Sequence, residues 1–175
     1  DDNSEETKAW VIEQNKVTFS YLDSIPFRQK LIDRITEIYN YERYSVPFKE
    51  GGKYFFYKND GLQNQSVLYI QDNLESEAKV LLDPNTLSTD GTVALSDVAV
   101  SKDGKYLAYS IARAGSDWNE IYVKDIASGK DLDDKLMWVK FSGIAWYKDC
   151  IFYSAFDEPK QGEELTVQNQ NQKVY

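Results

Sequence analysis

The sequence predicts a mainly β fold with N-terminal helices: an incomplete β-propeller of about two four-stranded blades plus a hairpin. Three observations carry this. First, Val98-Ala99-Val100-Ser101-Lys102-Asp103-Gly104-Lys105-Tyr106-Leu107-Ala108-Tyr109-Ser110 reads as strand, tight polar turn, strand. Its core has an earlier copy, Gly51-Gly52-Lys53-Tyr54-Phe55-Phe56-Tyr57, and a shortened later one, Ile144-Ala145-Trp146-Tyr147-Lys148-Asp149-Cys150-Ile151-Phe152-Tyr153-Ser154. A repeat of roughly 50 residues built from such hairpins marks a propeller, one blade per repeat. Second, aromatic residues make up 14% of the chain, with 13 Tyr, and such residues favour strands. Third, apolar spacing is helical before Tyr44 and alternating after it.

Residues 3 to about 22 read as a helix, with Asn3 as cap and Glu6, three residues on, as its capping-box partner. Trp10, Val11, Gln14, Val17, Tyr21 and Leu22 fall near one face. A second helix is expected from Pro26, whose missing N–H is not needed in a first helical turn. Phe27, Leu31, Ile35 and Ile38 follow at steps of four, four and three, a stripe suited to docking on a domain.

From Tyr44 onward, strands are expected near 44–49, 53–58, 66–72 and 78–82, the content of one blade. Asp83-Pro84-Asn85-Thr86-Leu87-Ser88-Thr89-Asp90-Gly91 is a polar linker punctuated by Pro and Gly. The next unit has strands near 94–100, 105–113, 118–126 and 136–140, with turns at Ser101-Lys102-Asp103-Gly104 and Ala127-Ser128-Gly129-Lys130. A hairpin at 143–156 opens a third blade. Residues 157–172, rich in Gln, Asn and Glu, read as a long mobile loop. The predicted division is a helical segment over 1–42 and a partial propeller over 43–175, with blades at about 44–83 and 93–140.

Three repeat starts are too few to close a ring, so the chain is expected to be a piece of a larger protein. Its first residue is Asp, and Met137 is its single Met. A blade packs face to face on its neighbours, so two blades and a hairpin leave an apolar face and unpaired edges open. Either self-association through the open blade faces or cover from the chain's own helices is expected to follow.

The net charge of −9 argues against a nucleic-acid surface, which needs a Lys/Arg excess. No apolar run approaches the roughly 18 residues of a membrane span, so no membrane partner is expected. The single cysteine, Cys150, excludes an internal disulfide and suits a packing role better than a nucleophilic one. It fits the cytoplasm without excluding the periplasm. Asn64-Gln65-Ser66 fits a glycosylation acceptor pattern, a short and weak signal.

The sequence contains no histidine. A Ser-His-Asp or Cys-His centre within these residues is therefore impossible, and so is a His/Cys zinc site. No G-x-S-x-G, P-loop or G-x-G-x-x-G motif occurs. A carboxylate pair could act in glycoside hydrolysis, but among 29 acidic residues none is singled out by spacing. No catalytic residue, cofactor or metal is expected within the chain.

Long ordered strings then point to a family. These are Asp2-Asn3-Ser4-Glu5-Glu6-Thr7-Lys8-Ala9-Trp10-Val11, Tyr44-Ser45-Val46-Pro47-Phe48, Asn59-Asp60-Gly61-Leu62-Gln63-Asn64-Gln65-Ser66-Val67-Leu68-Tyr69, Leu82-Asp83-Pro84-Asn85, Asp90-Gly91-Thr92-Val93-Ala94-Leu95-Ser96, Gly115-Ser116-Asp117-Trp118 and Val139-Lys140-Phe141-Ser142. Over nearly its whole length the chain resembles the prolyl oligopeptidases. The resemblance implies a serine peptidase in which a seven-bladed propeller covers an α/β-hydrolase domain and limits access to short peptides, cleaved after proline. The triad of that family lies in the hydrolase domain, which would be the partner missing here, and a fragment without it would be inactive.

Two positions carry over. Phe141 resembles a propeller aromatic that lines the substrate pocket, and Asp117 an acid that pairs with an arginine of the hydrolase domain. Residues alone would make Phe141 a core strand residue and Asp117 a solvated turn acid. Residues 157–172 resemble, with a different length and composition, a loop near the domain interface that gates entry. Two alternatives stay open at this stage: a propeller-like binding module with no catalytic partner, and a related oligopeptidase that prefers basic residues.

Overall fold

In the computed structural model, which describes residues 4–175, the chain forms two compact units, Asp1–Tyr41 and Glu42–Tyr175. The first holds helices α1 (Glu5–Asp23) and α2 (Arg28–Tyr39). Ser4 caps α1, its hydroxyl accepting from the Thr7 N–H at 3.1 Å and donating to the Thr7 hydroxyl at 2.9 Å. The expected cap, Asn3, lies outside the described residues, and Thr7 rather than Glu6 partners the cap. Pro26 does not open α2. It occupies a turn closed by the Arg28 N–H on the Ile25 carbonyl at 3.1 Å, where the fixed φ of proline serves the turn's second position. Trp10, Val17, Phe27, Leu31, Ile35 and Ile38 are exposed.

The second unit is built from antiparallel meanders. The first comprises β1 (Arg43–Tyr44), β2 (Phe48–Glu50), β3 (Lys53–Asn59), β4 (Val67–Gln71) and β5 (Lys79–Leu82). β1 and β2 lie along the same edge of β3, so the expected strand 44–49 exists but is broken. Pro47 has no N–H to give the ladder, and the Ser45 hydroxyl instead accepts the Tyr57 N–H at 2.9 Å. The second meander is β6 (Val93–Val100), β7 (Tyr106–Arg113), β8 (Asn119–Asp125) and β9 (Asp131–Val139). β9 begins five residues before its expected start, through exposed residues that carry no apolar alternation. The hairpin β10 (Ala145–Tyr147) and β11 (Cys150–Phe152) forms a separate two-stranded sheet. β12 (Ser154–Ala155) leaves that hairpin for the edge of β9, and β13 (Lys173–Val174) pairs with β12. Residues 157–172 hold turns only.

Strand alternation divides the core in two. Leu107, Tyr109 and Ile111 of β7 pack with Phe55, Leu68 and Leu82 of the first meander. Ala108 points the other way, with Ile121, Val123 and Val139, toward Trp146 and Ile151 of the hairpin. The second meander therefore buries one face on the first meander and the other on the hairpin. Polar groups tie the same layers. The Gln65 side chain donates to the Val93 carbonyl at 2.7 Å and accepts from the Leu95 N–H at 2.8 Å, as a paired strand would. The Trp146 indole N–H donates to the Ala99 carbonyl at 2.9 Å. Cys150, expected in packing, is exposed because it opens a short strand at the hairpin tip.

Candidate functional site

The strongest candidate site lies at one end of the second meander and follows from strand register. Asn119, first in β8, is paired with Val139, last in β9. The residues just outside that pair, Asp117-Trp118 and Lys140-Phe141, are thereby brought together although distant in sequence. A β-bulge shapes the approach. Between the pairs Asn119–Val139 and Ile121–Leu136, one residue of β8 faces two of β9, and Trp138 takes a φ of 59°. Such an insertion bends the strand and re-aims a side chain. Here it brings the Trp138 ring edge-on to Trp118, with centroids 5.7 Å apart.

Trp118 is the fixed centre of the cluster. Phe156 meets it edge-on at 6.0 Å, and its indole N–H donates to the Glu164 carbonyl at 2.7 Å. That bond pins the 157–172 segment onto the blade. Beside it, Trp118 and Phe156 with Pro159, Glu163 and Val167 line a cavity of about 230 Å³. The Glu164 carboxyl is held below its usual range by its own backbone N–H and that of Gly162.

Lys140 joins the two residues singled out by sequence. Its ammonium lies 3.5 Å from Asp117 Oδ2, 4.7 Å from the centre of the Trp118 ring and 5.5 Å from that of Phe141. Phe141 follows β9 with a φ of 54°, rare and costly for a residue with a Cβ, and the residue is 72% exposed. It is thus not the core strand residue that its apolar character suggests. Asp117 is also exposed, its carboxylate 3.5 Å from the Lys140 ammonium. The arrangement offers an apolar ring, a carboxylate and an ammonium at a blade end. It offers no nucleophile–base pair, and among the described residues no cluster of His, Cys, Asp and Glu is placed to hold a metal ion.

Sequence reasoning missed Trp118, Trp138, Phe156 and Lys140. Two of the four tryptophans lie within two residues of Asp117 or Lys140, a density that was available as a signal.

Known proteins place this geometry in context. The chain is 48% identical over its full length to a prolyl endopeptidase of Elizabethkingia meningoseptica, of which it spans 25%. It is 40% identical over 96% of its length to prolyl oligopeptidase A of Amanita bisporigera, spanning 24% of that protein. Among solved structures, prolyl oligopeptidase B of Galerina marginata bound to a 25mer macrocyclization substrate superposes with a TM-score of 0.84 at 29% identity. That match covers 98% of this chain and 27% of the other. The chain therefore spans about a quarter of the relatives it matches. All of residues 1–175 match the N-terminal β-propeller domain of prolyl oligopeptidase, and the chain belongs to that family.

Proposed function

We propose that this chain is the peptide-lining part of a serine endopeptidase that cleaves short peptides after proline, and that it carries none of the catalytic triad itself. The observation that supports this reading best is the meeting of Asp117 and Phe141 across Lys140 at one blade end. An exposed aromatic ring on a left-handed backbone is an arrangement that folding alone does not favour, and such strain gathers at ligand sites. In this reading Phe141 gives apolar contact to the peptide beside its proline. Asp117 pairs with a cation of the hydrolase domain, tying the domains together. Residues 1–42 form a helical segment and 43–175 the partial propeller, with blades at about 44–83 and 93–140 and a third beginning at 143–156. The hydrolase domain supplies nucleophile, base and acid, because a chain without histidine has no imidazole to offer.

A chimera tests the reading: this chain replaces the matching quarter of the Elizabethkingia meningoseptica enzyme. The chimera is expected to cleave a proline reporter peptide, and Phe141→Ala to raise KM about tenfold, the cost of one aromatic contact. Cleavage by the purified 175-residue chain alone, or an unchanged KM in Phe141→Ala, would sink it. Self-association is the remaining part of the proposal. Exposed Leu132 flanks an open cavity of about 430 Å³ between β8, β9 and the hairpin, where a second copy would find apolar surface. Light scattering during size exclusion should show a dimer or larger, and a monomer at every concentration would remove that part.

A further inference from the structure

We infer that Lys140 is the positioning residue of this site: its ammonium clamps the Phe141 ring to the fixed Trp118 ring beside the Asp117 carboxylate. The inference deepens the reading of Phe141 as substrate-lining and rests on it. Trp118 is anchored without help from Lys140, by the Glu164 carbonyl and by two edge-on rings. The Phe141 backbone is held more loosely, its carbonyl accepting from Gln172 Nε2 at 3.5 Å. It lies beyond the end of β9, in a left-handed conformation, with most of its surface in solvent. A ring so placed turns freely about χ1 unless something holds it.

Lys140 is built to hold it. Its side chain is 11% exposed, against 77% for Lys102, so it does not extend into water as lysines ordinarily do. The carboxylate beside it, Asp117, stands at 3.5 Å, beyond the ordinary range of a charge-assisted hydrogen bond. The remaining charge faces the π surfaces of Trp118 and Phe141, both within cation–π range. The backbone beneath is held by Gln172, whose Nε2 donates to the Lys140 carbonyl at 2.9 Å and to the Phe141 carbonyl at 3.5 Å. Ring and backbone thus meet different groups, and Lys140 links the ring to the anchor.

The test uses the 175-residue chain with ring-labelled phenylalanine, read by NMR. Lys140→Met keeps the stem and removes the charge, and Lys140→Arg keeps a cation able to stack on both rings. Lys140→Met is expected to move and sharpen the Phe141 ring signals toward those of a free side chain, and Lys140→Arg to restore them. Trp118→Leu leaves the charge but removes the anchor, and is expected to act as Lys140→Met does. The Trp146 indole signal, from the seam between the second meander and the hairpin, reports that each variant is folded. Unchanged Phe141 signals in Lys140→Met, or an arginine variant no closer to the wild type than the methionine one, overturn the inference.

A proline reporter peptide, cleaved by the chimera, then separates this inference from the reading beneath it. In the chimera, a KM that Phe141→Ala leaves unchanged overturns the substrate-lining role, while the ring signals of the 175-residue chain still decide the clamp. If the peptide does engage Phe141, Lys140→Met should weaken it about tenfold, the scale of one partly desolvated cation–π contact. Equal affinity in the two chains removes Lys140 from any part in binding.

Discussion

A β-carbon placed on Gly51 would lie 2.2 Å from the α-carbon of Gly104. The two residues occupy the same turn in successive blades, Gly51 between β2 and β3 and Gly104 between β6 and β7. Their backbones touch because neither carries a side chain, and both have positive φ, 55° and 71°. The contact sets how closely two blades approach at that end. Glu50 and Lys102 add an exposed ion pair across the same junction.

Gly51→Ala is accordingly expected to lower stability by about 2–4 kcal/mol, the sum of a left-handed Cβ and a backbone clash. Gly104→Ala meets the Gly51 carbonyl oxygen at 2.9 Å and should cost somewhat less. Gly129→Ala has the same backbone handicap, φ 70°, with nothing within 4 Å, and should cost about 1 kcal/mol. Urea unfolding of the three variants checks the order, and equal losses would remove the inter-blade contact as the cause.

Gln65 gives a second, pH-dependent prediction. Gln65→Ala deletes two inter-blade hydrogen bonds and should cost about 1–3 kcal/mol. Gln65→Glu keeps the acceptor for the Leu95 N–H but turns an oxygen toward the Val93 carbonyl, where only a protonated acid can donate. The folded state then favours the proton and raises that carboxyl's pKa. The variant should be most stable at acid pH and lose stability as pH rises through the shifted value. A denaturation series in pH reads this, and a flat difference from the wild type contradicts it.

The Asp103 turn predicts the opposite slope. Lys105 Nζ, the Ser101 hydroxyl and the Lys105 N–H hold the Asp103 carboxyl at about 2, below its ordinary 3.8. A depressed pKa means stability that is full above the unfolded value and lost as pH falls toward the folded one. Asp103→Asn should therefore flatten the acid limb of the stability curve between about pH 4 and pH 2, and leave its shape near neutrality unchanged. Thermal melts across that window decide it.

Phe141→Gly separates function from stability. Relief of the left-handed backbone offsets the added freedom of the unfolded glycine, so stability should stay within about 1 kcal/mol of the wild type. Phe55→Ala, at a fully buried ring, should cost about 3–5 kcal/mol. A large loss in Phe141→Gly would mean that the ring supports the fold.

The blades were legible because alternation and repeat period act together: the pair Phe56–Tyr69 of β3 and β4 recurs as the pair Tyr109–Tyr122 of β7 and β8. The first half of β9 was not, because Asp131-Leu132-Asp133-Asp134-Lys135 joins the sheet by backbone pairing with little apolar burial. Phe141 was placed in the site by resemblance alone. Its residue type points inward, and nothing local in Val139-Lys140-Phe141-Ser142 encodes a left-handed turn, since no Gly or Asn stands there. The Trp118 cluster needed the register of β8 on β9 and a bulge, and neither is written in any short window of sequence.

The pairing of β12 with β13 closes the 157–172 segment into a loop with both ends fixed. Ala155 is paired with Lys173, and the Lys173 ammonium meets Asp157. Closing a flexible loop costs free energy that grows only with the logarithm of its length, about 0.6 kcal/mol per doubling. Insertions and deletions here are thus nearly neutral for the blades, while each one alters the wall beside Trp118. The fold leaves this rim free to change in length and composition while the core behind it stays as it is.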